Sequence, residues 1–149
     1  MKTHLAAAVG SVVLTAGTLL GAPAAGAQTA NASAYPPPSE FTINFGATWT
    51  RGTITWYNRS VRVVGQHRSA VSDSLVTCRT TWAYALQGDR GVVGSGGGSP
   101  IACGAIESYD FVVPADQPGG AAYVRVCLDD GNLKDLECLR IPRPLPSAS

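Results

Sequence analysis

Among side chains able to move a proton near neutral pH, this chain has two histidines, His4 and His67. His4 sits in an apolar leader, so His67 is the one candidate base for a Ser-His-Asp arrangement. Such a site needs its serine on a sharp, exposed turn, and no Gly-x-Ser-x-Gly turn is present. Every serine falls in a loop or an alternating strand, and His67 is expected as an exposed residue at a strand end. A glycosidase would need two carboxylates converging across a cleft. The acids here stand mainly in turns, at Asp73, Asp89, Asp116, Asp129, Asp130 and Asp135, where such residues cap their own backbone. Asp129-Asp130-Gly131-Asn132 followed by Asp135 and Glu137 could gather oxygens for calcium, but it lacks the twelve-residue helix-loop-helix spacing. Gly94-Ser95-Gly96-Gly97-Gly98 has no Gly-Lys-Ser/Thr and no following helix, so it does not cradle phosphate. The expectation is a chain that is not an enzyme, with no catalytic residues, no metal site and no cofactor.

Four cysteines carry the remaining covalent chemistry: Cys78, Cys103, Cys127 and Cys138. An even count in an exported chain reads as two disulfides. Of three possible pairings the sequential one, Cys78-Cys103 and Cys127-Cys138, is favoured, because the second pair brackets the turn at Asp129 to Asn132. Each bridge would contribute about 3 kcal/mol by restricting the unfolded chain. Zinc would want the cysteines in close pairs, which are absent.

Export follows from the start of the chain. Met1 to His4 is short and basic, Leu5 to Leu20 is a run of apolar and small residues, and Ala25-Gly26-Ala27 is a small-residue cleavage site. Residues 1–27 are predicted as a signal peptide, rather than a membrane anchor, because the run is rich in Ala and Gly and meets Pro23. Residues 28–40 form a linker or extended arm around Tyr35-Pro36-Pro37-Pro38, and residues 41–149 suffice for one domain with a modest core. Of the eleven basic residues Lys2 leaves with the leader, so ten face ten acids. That balance favours neither a nucleic-acid partner nor a membrane surface. The product would be secreted and extracellular.

The elements that must position these residues are strands. Thr53 to Tyr57 and Val61 to His67 alternate apolar and polar residues across Asn58-Arg59-Ser60, a β-hairpin. Phe41 to Phe45 alternates too. Ser74 to Leu86 reads as a long strand with Val76, Cys78, Thr80, Trp82, Tyr84 and Leu86 on one face and Thr77, Arg79, Thr81, Ala83 and Ala85 on the other. The glycine-rich stretch Gly94 to Pro100 predicts a mobile surface loop. Glu107 to Val113, Ala121 to Leu128 and Leu136 to Ile141 complete the set. With no helical period and turns every ten or so residues, the fold class is all-β, a small antiparallel β-sandwich stabilised by two disulfides.

Two features suit binding. Alternation assigns Trp56, Trp82 and Tyr84 to the core and leaves Trp49 and Tyr57 exposed, where rings stack on sugars or anchor a protein partner. Charge is also uneven: Arg51, Arg59, Arg62, Arg68, Arg79 and Arg90 face Asp73 and Asp89, whereas Glu107 to Glu137 holds seven acids against Arg125 and Lys134. An electrostatically two-sided molecule would suit different partners at its two ends; internal ion pairs would erase the asymmetry.

Thr53-Ile54-Thr55-Trp56-Tyr57-Asn58-Arg59-Ser60-Val61 and Val126-Cys127-Leu128-Asp129 with the later Cys138 resemble a diffuse group of small, secreted actinobacterial β-sandwich proteins. Arg-rich, Lys-poor usage fits such a high-GC source. In size, disulfides and Pro-rich arm the chain is similar to the adaptor subunit of secreted streptomycete umbrella toxin particles. That resemblance implies a non-catalytic adaptor joining a lectin-bearing subunit to a large toxin subunit, with the segment from Tyr35 to Phe45 docking on one partner. The candidate partner-binding residues are therefore Tyr35, Phe41, Ile43 and Phe45 on the arm, with Trp49, Tyr57, Arg59 and Arg62 beyond it. Extracellular protein partners are expected. A carbohydrate- or cell-wall-binding module and a secreted enzyme inhibitor are the alternatives, and an inhibitor would show a rigid exposed loop.

Overall fold

A computed structural model of the chain describes residues 36–88 and 91–146. The predicted signal peptide, residues 28–35 with Tyr35, and Asp89 and Arg90 lie outside the described residues. Eight strands follow one another: β1 (Ser39–Phe45), β2 (Thr48–Trp56), β3 (Ser60–Arg68), β4 (Arg79–Leu86), β5 (Val92–Gly97), β6 (Ile106–Pro114), β7 (Tyr123–Asp130) and β8 (Asp135–Pro142). They form two antiparallel sheets of four, ordered β1-β2-β3-β6 and β5-β4-β7-β8, with no helix among the described residues. The all-β class and both disulfides, Cys78–Cys103 and Cys127–Cys138, are as expected from the sequence.

Alternation explains the core. Phe41 and Ile43 of β1, Ile54 and Trp56 of β2, Val61 and Val63 of β3, and Tyr109 and Val113 of β6 meet Ala83 and Ala85 of β4, Val124, Val126 and Leu128 of β7, and Ile141 of β8. The inward positions recur with period two on β1 to β4, β6 and β7, which is how a sheet buries one face. The indole of Trp56 donates to Ser39 Oγ at 3.0 Å, pinning the start of β1.

The segment predicted as an arm is therefore part of the sandwich from Ser39 onward. β1 pairs along its whole length with β2, Ser39 opposite Ile54 and Phe45 opposite Thr48. Phe41 and Ile43 are core residues, because a strand at a sheet edge must bury its apolar face against its own domain. That corrects their assignment to a partner.

Three further expectations are overturned. β4 starts at Arg79, and residues 74–78 belong to a loop. Its faces are the reverse of those expected: Thr81, Ala83 and Ala85 point inward and are buried, while Trp82, Tyr84 and Leu86 point out. The interior opposite is filled by Ile54, Trp56 and Tyr109 from the other sheet, so β4 supplies small side chains. Of the stretch Gly94 to Pro100 predicted as a mobile loop, Gly94 to Gly97 belong to a strand. β5 pairs with β4, Gly94 opposite Ala85 and Gly97 opposite Trp82. A Cβ on Gly94 would collide with the Pro114 carbonyl of β6, and one on Gly98 would lie 2.8 Å from the Trp82 ring. Glycine at 94 lets the two sheets close against each other where β5 meets β6, and glycine at 98 makes room for the Trp82 ring within the second sheet.

The strands alternate in direction, which sorts the loops into two ends. One end holds the β1–β2 turn, residues 69–78, residues 98–105 and the β7–β8 turn. The other holds the turn at 57–59, residues 115–122 and the segment after β8.

Candidate functional site

The residues that look most like chemistry form a buried network inside the sandwich, in which His67 Nε2 has no hydrogen-bond partner among the described residues. His67, opposite Glu107 on β6, shares the inward parity of Val61 and Val63 and is 0% exposed. This corrects its expected place at an exposed strand end. Its Nδ1 lies 3.0 Å from Thr81 Oγ1, which is 2.7 Å from Thr50 Oγ1, which in turn is 2.8 Å from the Tyr109 hydroxyl. Tyr109 also donates to the Arg51 carbonyl at 3.1 Å, and its ring stacks on His67 at 5.3 Å between centroids. Burial pushes His67 down to about 4 and Tyr109 up to about 12, so at neutral pH both are uncharged. The network ties β2, β3 and β6 to β4 through the core. Beside it Arg79, also buried, donates to Thr48 Oγ1 at 3.0 Å and to the carbonyls of Val76 and Cys78 at 2.9 and 2.7 Å. These side chains are spent on joining the sheets and holding a loop, and none reaches a cleft.

The acids expected as a possible calcium loop are divided by the fold. Asp130 Oδ1 accepts the backbone N–H groups of Asn132 at 2.8 Å and Lys134 at 3.0 Å, an ordinary turn cap. Asp129 and Asp135 are register partners on the outer face of the second sheet, whereas Glu137 pairs with Leu128, whose side chain faces the core. Asp129 is only 1% exposed, and burial together with the Asp135 carboxylate pushes it up to about 7, with Arg125 opposing. Among the described residues the one close group of metal-ligand types is Asp135 with Cys127 and Cys138. Both sulfurs there are tied up in the cross-strand disulfide, so they are not thiolate ligands.

Binding features lie on the surface, and the predicted residues are scattered over it. Trp49 is half-buried on the outer face of the first sheet, with the Arg51 guanidinium 4.4 Å above its ring. Arg62 is exposed on that face and forms a two-pronged pair with Asp110, Nε to Oδ1 at 2.8 Å. Each partner favours the other's charged form, holding Asp110 below the usual carboxylate range. Tyr57 and Arg59 stand at the 57–59 turn, where Arg59 meets Asp116 at 2.9 Å. Phe45 is at the opposite end, half-exposed beside Arg79. The chain matches no family model, no curated protein and no solved structure. Two of the first-half arginines, Arg59 and Arg62, pair in space with acids from the second half.

What the sequence did not disclose is the end that carries Phe45. Seven large apolar side chains are exposed there: Phe45, Val71, Leu75, Val76, Ile101, Ile106 and Leu133. Leu75 is 52% and Val76 61% exposed. Their loop is nonetheless fixed. Ser69 Oγ lies 2.6 Å from the Val71 carbonyl and 2.7 Å from that of Thr77, Cys78 N–H donates to Ser74, and Gly131 N–H donates to Leu75 at 2.8 Å. Cys78–Cys103 then ties it to the 98–105 loop, next to the bridge between Arg79 and Ala102. No alternation marks residues 69–78. Their one advance signal was Cys78, through its expected bridge to Cys103.

Proposed function

We propose that this chain is an exported, non-catalytic protein-interaction module that joins extracellular protein partners, and that the loop end around Leu75 and Val76 is its main contact. The carrying observation is that end itself: apolar side chains held outward on a loop braced by side-chain and backbone hydrogen bonds and stapled by a disulfide. Scattered apolar residues are normal on any surface, but a cluster on one rigid loop end marks an interaction site. Ordering the loop in advance removes part of the entropy cost of binding. Two disulfides fit an oxidising compartment, in keeping with the predicted leader. The resemblance to adaptor subunits of extracellular toxin particles points the same way and makes a large secreted subunit the expected partner. In that reading the segment from Ser39 to Phe45 serves the fold, and the loop end takes over the docking role.

The test is affinity capture of the tagged mature chain from its native culture supernatant, with mass spectrometry of what accompanies it. Large secreted proteins in fixed ratio are the expected result, and Leu75→Asp with Val76→Asp should lose them. Recovery of the chain alone sinks the adaptor reading.

The same rigid loop supports a second reading, a secreted enzyme inhibitor whose loop enters a partner's cleft. Stoichiometric inhibition of a purified extracellular hydrolase, lost in the same variant, would select it.

A further inference from the structure

Eight arginines lie among the described residues, and six of them have their guanidinium committed. Arg59, Arg62 and Arg125 meet carboxylates, and Arg79, Arg140 and Arg143 donate to backbone carbonyls. Arg51 and Arg68 alone have neither kind of partner, and the fold puts them side by side. Arg68 on β3 is directly opposite Trp49 on β2, and Arg51, two residues beyond Trp49 on the same outer face, is opposite Gln66. Like charges on such a diagonal are within reach of one another and repel, so an exposed sheet gains nothing by keeping both bare.

Arg51 is also held in place. Its guanidinium lies over the Trp49 ring, 4.4 Å from the centroid, which restrains it and leaves the N–H edge free. A stacked guanidinium with unused donors is prepared for two-point recognition of a carboxylate or phosphate. Next to it runs a groove of mixed character, about 340 Å³, floored by the Gly52 and Gly65 backbone and lined by Arg51, Thr42, Thr53 and Gln66, with Val64 and the single acid Glu40 on its wall.

We infer that this face binds an anionic polysaccharide, with Arg51 and Arg68 holding its carboxylates or phosphates and the groove taking its hydroxyls. An acidic peptide fits less well. β2 and β3 are paired on both sides, so their backbone groups are consumed and a peptide laid across them would find no partners for its own amides. A sugar chain carries hydroxyls instead, which side-chain amides and hydroxyls satisfy. The site adjoins the loop end, since Arg68 is the register partner of Ile106, but it lies on the outer face of the sheet and does not depend on the adaptor reading.

The experiment is affinity electrophoresis and calorimetry of the mature chain with polygalacturonate, poly(glycerol phosphate), neutral dextran and poly-glutamate. Binding to one or both anionic polysaccharides is expected, weakening as salt rises, and preference between the two tells carboxylate from phosphate recognition. Arg51→Gln and Arg68→Gln should each weaken it at least tenfold, and Trp49→Ala should weaken it without removing a charge. Arg59→Gln, at the far end, should bind as the parent does, and Arg51→Gln should still capture the secreted partners, which separates this site from the proposed docking end. Equal binding to dextran, binding to poly-glutamate in place of both polysaccharides, or no binding at all would each overturn the inference. An unchanged thermal midpoint in the arginine variants would show that the loss is one of contact.

Discussion

The two ends of the sandwich are finished in opposite ways. At the 57–59 turn the loops are tied by polar groups. Arg143 donates to the carbonyls of Tyr57 at 3.1 Å and Gly119 at 2.8 Å, Ala115 N–H donates to Arg59, and Arg59 pairs with Asp116. At the other end a disulfide and a buried arginine brace the loops from within, and apolar side chains face out. The second end also holds the two buried groups with displaced titration, His67 near the end of β3 and Asp129 near the end of β7. A loop that is held covalently does not need its own apolar residues to hold it, so they are free to be shown. Structural cost and binding potential are thus concentrated at one end.

Removing the staples should break that contrast most visibly. Cys78–Cys103 closes 25 residues and Cys127–Cys138 closes 11. In the chain-entropy picture these are worth about 3.5 and about 2.8 kcal/mol. Paired Cys→Ala substitution at Cys78 and Cys103 should therefore lower stability in urea by the larger amount, and also release partner binding. The Cys127 and Cys138 pair, inside a sheet, should lower stability with partner binding intact. Equal loss of binding in both variants would mean that the loop end is not the contact.

Titration sharpens the comparison, because the two buried groups act with opposite sign. His67 is depressed, so its neutral burial stabilises above the unfolded value near 6.5 and is lost as pH falls toward 4. Asp129, facing Asp135, Asp130 and Arg125, is raised. Its contribution is present below the unfolded value near 4 and lost as pH rises through 7. Each effect is worth about 3–4 kcal/mol at most, since a tenfold change in proton affinity corresponds to roughly 1.4 kcal/mol. Between pH 4 and 6.5 they oppose, and denaturation midpoints should be nearly flat. His67→Gln should uncover stability that falls as pH rises, and Asp129→Asn stability that falls as pH drops. If both variants keep the parent's flat profile, neither group is held as described.

Much of this architecture was legible. The β2–β3 hairpin could be read from Thr53 to His67 because its alternation and its turn residues agree, and the disulfide pairing because Cys127 and Cys138 bracket the turn at Asp129 to Asn132. The parity that buries Val61 and Val63 also buries His67, so that signal was present and outweighed by the usual exposure of histidine. β4 was misread because Thr80-Thr81-Trp82-Ala83-Tyr84-Ala85 is apolar on both faces. Which face is inside depends on how much room Trp56 and Tyr109 leave from the other sheet. β5 defied glycine propensity because its neighbour β6 comes too close for any Cβ at Gly94. The loop end was hidden for a further reason: Leu75 and Val76 resemble core residues in isolation, and only the loop's path shows them turned outward.

The smallest effects distinguish the ends side by side. Arg143→Ala removes a charged donor that satisfies several carbonyls at the polar end, and should cost about 1–2 kcal/mol. Leu75→Ser at the apolar end removes a side chain already half in water, and should stay within about 0.5 kcal/mol of the parent. Urea denaturation of the two variants reads both numbers. A Leu75→Ser loss as large as that of Arg143→Ala would mean that the apolar loop is holding the sandwich closed, and its exposed residues would then need no partner to explain them.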